Sequence, residues 1–157
     1  RRFRGRASIP PLLDLVGSWQ PSGPTPLLGR ARTLSAATRR SGMVVVISDF
    51  LMPEGTESLD RLAARREQVV GVQVVSASDE HPDALGEVQL VDAETGHRVD
   101  VDMSPEVVEA FRERRRTATA ALSRRLAGHG GRLVVTDSSD DLLARVVPSL
   151  VAGGVLR

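Results

Sequence analysis

The sequence predicts an α/β fold built on a short parallel sheet, and three observations carry that prediction. Three runs, Met43–Ser48, Val69–Val75 and Arg132–Thr136, are β-branched and almost continuously apolar, the pattern of strands covered on both faces. Segments with helical spacing separate these runs. A single hairpin signature interrupts the alternation: Gly86–Asp92 and His97–Asp102 flank Ala93–Glu94–Thr95–Gly96. Buried strands that alternate with helices imply a parallel sheet with right-handed crossovers.

Each element has its own local reason. Leu12, Leu13, Leu15 and Val16 make Pro11–Gly17 a short helix, and the prolines and glycine of Gln20–Pro24 make a loop. Leu27, Leu28, Ala31, Leu34 and Thr38 recur at helical spacing, so residues 26–40 read as a helix that feeds the first strand. Leu59, Leu62 and Ala63 mark a second helix at about 57–66, with Arg65 and Arg66 suited to its negative end. In the hairpin, Val88, Leu90, Val99 and Val101 alternate with polar residues, so one face is expected to be solvated, and Gly96 is placed for positive φ. Ser104–Pro105–Glu106 opens a long helix: a serine N-cap, a proline at the first helical position, and an acid at the positive end of the dipole. It should stop near Ala127, before Gly128, Gly130 and Gly131. Ser139–Asp140–Asp141 caps a last helix that runs to about Val151.

Composition excludes several function classes. The 157 residues suit one domain, and 41% apolar with 26% charged residues excludes a disordered chain. With no cysteine there is no disulfide, thiolate zinc site or thiol nucleophile. No apolar run reaches the length of a membrane-spanning helix, and the basic start Arg1–Arg6 lacks the apolar stretch of a signal peptide. All 21 basic side chains are arginine. Residues 1–40 hold eight of them (1, 2, 4, 6, 30, 32, 39 and 40) against Asp14, a net +7, and the remainder of the chain carries a net −6. Such asymmetry reads as an anion-binding arm on an acidic body or, equally, as a segment whose charged partner is missing from these residues.

Ser48–Asp49–Phe50 ends the first strand, where open α/β sheets place their ligand sites, and a carboxylate there suits Mg²⁺. Asp49 can equally begin a loop and accept from its own amides. His81, His97 and His129 fall in turns or loops, none at metal-ligand spacing from another. Without lysine there is no phosphate-binding Gly-x-x-x-x-Gly-Lys loop, and no Gly-x-Ser-x-Gly occurs. Arg112, Arg114, Arg115 and Arg116 interleave with Glu106, Glu109 and Glu113 at spacings of three and four, which reads as a paired, solvated helix face.

The strings GMVVVISDFL, PSGPTPLL, VVGVQVV, VQLVDAETGHRVDVD and LVVTDSSDDLLARVV resemble the carboxy-terminal half of the bacterial domain-of-unknown-function 58 family, from about residue 9 onward. That resemblance implies a von Willebrand factor A-like, Rossmann-like three-layer fold, often found beside MoxR-type AAA+ ATPases. It also implies that residues 1–157 form one partial domain lacking its N-terminal strands, with a β-hairpin inserted at about 86–102. Domains of this type hold a divalent cation through an Asp-x-Ser-x-Ser loop, a loop threonine and a final aspartate. By resemblance the threonine is Thr25 and the aspartate Asp49, and the first motif has no match: Asp14–Ser18 puts Val16 at a ligand position, in a helical pattern. The Mg²⁺ site is therefore expected to be incomplete.

The expected function is a non-catalytic protein–protein interaction module, cytoplasmic, with a protein partner such as a AAA+ ATPase and no specific nucleic acid. The competing expectation is a basic nucleic-acid or anion-binding module that uses Arg1–Arg6, Arg30 and Arg32. In the family's sheet the neighbour of strand 43–48 is the absent first strand. Self-association through an exposed strand 43–48 is therefore a further expectation.

Overall fold

A computed structural model describes residues 3–20, 27–37, 42–51, 55–64, 68–77, 85–92 and 95–156. In chain order the elements are α1 (Ile9–Gly17, after a tight turn at Arg6–Ser8), α2 (Leu27–Ala37), β1 (Met43–Ser48), α3 (Gly55–Ala63) and β2 (Gln68–Val75). There follow β3 (Gly86–Val91), β4 (Arg98–Met103), α4 (Pro105–Gly128), β5 (Arg132–Asp137) and α5 (Val147–Ala152). The chain divides into two compact units. One contains α1 and the hairpin tip Val91–Arg98, and the other contains the main sheet and the remaining helices. No helix among the described residues is long and apolar enough to cross a membrane.

The three apolar runs form a parallel sheet in the order β1-β2-β5, in agreement with the predicted fold class. Their burial corrects the expectation that all three are covered on both faces. Only the central β2 is. Along β1, Met43, Val45 and Ile47 are exposed and Val46 is buried; on β5, Val135 is exposed and Val134 buried. The reason is lateral position: an outer strand has a neighbour on one side only, so helices centred on the sheet cover it incompletely. Val44, Val46, Val69 and Leu133 share the face that packs on Ala31 of α2, Leu59, Leu62 and Ala63 of α3, and Leu122 and Leu126 of α4. Burying a leucine of this kind contributes about 1.5–3 kcal/mol.

The predicted caps form. Ser104 Oγ accepts from Val107 N at 3.3 Å and Pro105 begins α4. The chain then reverses at Gly130 (φ 73°) and enters β5 through Gly131, where a Cβ would lie 2.4 Å from the Val69 carbonyl oxygen. Asp60 on α3 receives a bidentate hydrogen bond from Arg125 and has His129 Nε2 at 3.6 Å, which ties α3 to the end of α4.

Two local expectations need correction. The hairpin forms, with Gly96 at φ 72°, but Leu90 and Val99 on its alternating apolar face stay exposed. The last helix does not run unbroken from its cap. Asp141 Oδ1 accepts from Leu143 N at 2.9 Å and Ala144 N at 2.7 Å, a wide-pitched turn follows at Leu142–Val146, and only then does α5 begin. Pro148 has no N–H to donate to the carbonyl four residues back, so the turn ahead of it widens.

Candidate functional site

β1 ends in a tight loop held from three directions. Phe50 adopts a left-handed φ of 54°, unusual for an aromatic residue, and its ring packs against the main core. Phe50 N donates to Ser48 Oγ at 3.1 Å, and Leu51 N donates to Asp49 Oδ1 at 3.1 Å. Below the loop, Gln73 Nε2 donates to the Asp49 carbonyl at 3.0 Å, and Thr119 Oγ1 of α4 donates to Gln73 Oε1 at 3.0 Å. Gln73 is only 4% exposed, so both ends of its amide are satisfied inside the protein. The result is a hydrogen-bonded turn that presents the exposed Asp49 at the carboxyl end of the sheet.

Asp49 thus stands where the switch-point rule expects a ligand group, with one carboxylate oxygen engaged by its own loop. Thr25 lies outside the described residues. Among the described residues no three His, Asp or Glu side chains come together as metal ligands. What the described residues supply around Asp49 is loop chemistry, and a cation there would need donors beyond them. Gln73 and Thr119 were not singled out from the sequence. The signal was available: a glutamine inside VVGVQVV, a strand covered on both faces, must find internal partners.

A second loop leaves the end of β5. Asp137 accepts from the amide and hydroxyl of Ser139, which hold its carboxylate below the usual range, the hydroxyl first. Asp140 Oδ2 accepts from Asp137 N at 2.9 Å and Thr136 Oγ1 at 3.1 Å. These two acids close their own turn, and the helix cap read from the sequence for Ser139–Asp141 is made by Asp141.

Within the arginine run on α4, Arg112 and Arg116 pair along the helix as their spacing predicted. Arg112 and Arg116 reach Glu109, and Arg116 also reaches Glu113. Of the basic residues in the N-terminal segment, Arg4, Arg6, Arg30 and Arg32 are described, and Arg32 lies 3.9 Å from Glu57. His97 sits in the hairpin turn, and His81 lies outside the described residues.

The open side of β1 adjoins the Asp49 loop. Gln68 N donates to the Gly42 carbonyl at 2.9 Å, which fixes the alternation of the ladder. Gly42, Val44, Val46 and Ser48 therefore turn their backbone groups to β2, whereas those of Met43, Val45 and Ile47 point to the outer edge. No strand pairs with that edge among the described residues.

A strand that leads from Ser48 into Asp49 and Phe50, a hairpin that turns through Thr95 and Gly96, and this parallel sheet occur in a chain whose residues 4–124 match the model of a family described as protein of unknown function DUF58. The chain belongs to the DUF58 family. Uncharacterized proteins of Mycobacterium bovis and Mycobacterium tuberculosis are 32% identical to this DUF58 chain over 109 residues, 69% of its length. A protein of Mycobacterium avium is 28% identical over 109 residues and is covered over 64% of its own length. The DUF58 chain spans about a third (34%) of the M. bovis and M. tuberculosis relatives. Among solved structures, a universal stress family protein of Burkholderia pseudomallei aligns over 83% of this chain and 79% of its own, with 16% identity and a TM-score of 0.31.

Proposed function

We propose that this DUF58 chain is a non-catalytic protein–protein interaction module of von Willebrand A type. It docks its partner through the open side of β1 and the Asp49 loop. The observation that carries the reading is the conjunction on β1 of exposed Met43, Val45 and Ile47 with a backbone edge that is unpaired among the described residues. An apolar, uncharged edge strand is a template for pairing with another chain unless something covers it. The Gln73–Thr119 pair supports the reading further, because it ties down the backbone at Asp49, and groups already held in place cost less to order on binding. The family resemblance makes a MoxR-type AAA+ ATPase the partner to test first, and the same edge gives self-association when no partner is present. Asp49 contributes one carboxylate to any Mg²⁺ that assists docking.

The test is sedimentation of the chain with a purified MoxR-type ATPase, for the wild type, Ile47→Lys and Asp49→Ala. A lysine at the exposed position 47 should leave the fold intact and weaken association at least ~10-fold, since it puts an unpaired charge in an apolar contact. Association that is unchanged by Ile47→Lys excludes this surface. Calorimetry with Mg²⁺ should show only weak binding, because a largely hydrated ion gains little from one or two protein oxygens. Micromolar affinity abolished by Asp49→Ala would mean that a complete site exists.

A further inference from the structure

The opposite margin of the sheet carries a different surface. Between α4 and β5 lies a groove of about 550 Å³. Its floor is apolar, formed by Val75, Leu133 and Val135, and its helical wall carries Arg112, Arg115, Arg116 and Ser123 together with Glu109, whose carboxylate is taken up by Arg112 and Arg116. Ser138 N donates to the Val75 carbonyl at 2.7 Å, so Thr136 and Val134 turn their backbone groups to β2, and those of Leu133 and Val135 face outward. Leu133 and Val135 therefore offer together the floor of the groove and a backbone edge that no strand pairs among the described residues. Above them that edge closes, because Asp140 takes the Asp137 amide.

The charge along the groove is graded. α4 runs antiparallel to the strands: Leu126 O accepts from Gly131 N at the start of β5, and Thr119 reaches Gln73 near the end of β2. The arginines therefore lie at the carboxyl end of the strands, with Ala120, Ser123 and Leu133 below them. Arg116 is held by Glu109 and Glu113. Arg115 stands in no ion pair among the described residues; its guanidinium lies 5.8 Å from the Phe111 ring centre. A half-buried cation of this kind, at the end of an apolar slot, complements an anion attached to an apolar chain. From Ser123 to Arg112 the helix rises about 16 Å, the length of roughly five extended residues.

We infer that this groove docks an extended segment of a protein partner, added as a parallel strand to the outer edge of β5, with two apolar side chains at alternate positions and an acidic one two residues beyond. The apolar pair fills the slot over Leu133 and Val135, and the carboxylate meets Arg115 with Arg112 beside it. A one-residue shift of the acid would turn it to the other face of the sheet. The strand-pairing edge of β5 lies across the sheet from the β1 edge and does not depend on its role, although Arg115 also borders Phe50 and Leu51 of the Asp49 loop.

Two labelled peptides test the inference on the whole chain: Thr-Val-Thr-Leu-Thr-Glu-Thr and its shifted control Thr-Val-Thr-Leu-Glu-Thr-Thr. Fluorescence anisotropy should show the first binding at least ~10-fold more tightly than the control. Arg115→Glu should remove that preference, and Ala120→Trp, which fills the slot from an exposed helix position, should abolish binding while helicity by circular dichroism is unchanged. Bound peptide should slow hydrogen exchange at the Leu133 and Val135 amides. Equal binding of the two peptides, no binding at millimolar concentration, indifference to Arg115→Glu, or protection confined to residues 43–48 would each overturn it.

Discussion

Val45 and Val70 are register partners on neighbouring strands, as are Ile47 and Val72, yet their surroundings differ completely. Val70 is 0% and Val72 6% exposed, against 48% for Val45 and 69% for Ile47. The residue types are nearly interchangeable. The difference lies in lateral position: β2 has strands on both sides and helices over it, and β1 is paired on one side only. The same chemistry that makes β2 the centre of a core leaves β1 an exposed apolar strand one spacing away, about 4.8 Å, the surface that the proposed docking would use.

The comparison predicts a graded set of mutational effects. The largest falls where the core's backbone is closest. Gly131→Ala would force a methyl against the Val69 carbonyl and should cost roughly 3 kcal/mol or more in urea unfolding. Leu126→Ala, which removes a side chain 2% exposed at the centre of the core, should cost about 2–5 kcal/mol by the same measurement. The paired substitutions Val70→Ala and Val45→Ala sharpen the contrast most directly. The first should cost roughly 2 kcal/mol and the second no more than about 0.5 kcal/mol. Equal losses would mean that something covers β1.

Smaller effects belong to the loop after β5. Asp141→Ala removes two hydrogen bonds to backbone amides and should cost about 1 kcal/mol of thermal stability. Asp137 titrates below the ordinary carboxylate value because the charged form accepts from Ser139. Its contribution is therefore present above the ordinary value and is lost as pH falls through the lowered one. Ser139→Ala should move the Asp137 titration upward toward the normal range, read by NMR; no movement would show that the hydroxyl does not set it.

The elements were legible in the sequence where local chemistry is decisive. Ser104–Pro105 announced α4, Gly96 announced the hairpin turn, and three β-branched runs announced three parallel strands. Lateral order is not local, so nothing in Met43–Ser48 itself distinguishes an outer strand from a central one. Pro148 could have warned that the last helix would not run unbroken. Of the candidate site, Asp49 was placed by the rule for strand ends, whereas the support beneath it, Gln73 and Thr119, joins residues 46 positions apart. The arginine groove was hidden for a related reason: the sequence shows which helix face is charged but not that the floor beside it is open and apolar.

Residue-resolved hydrogen exchange along β1 tests the central claim most directly. In the dilute monomer, the amides of Val44 and Val46 should be protected by β2, whereas those of Val45 and Ile47 should exchange quickly, giving an alternation along the strand. Raising the protein concentration or adding a partner should slow Val45 and Ile47 selectively. If all four amides are equally protected in a dilute monomer, the edge is already covered, and β1 is not the surface through which this chain meets another.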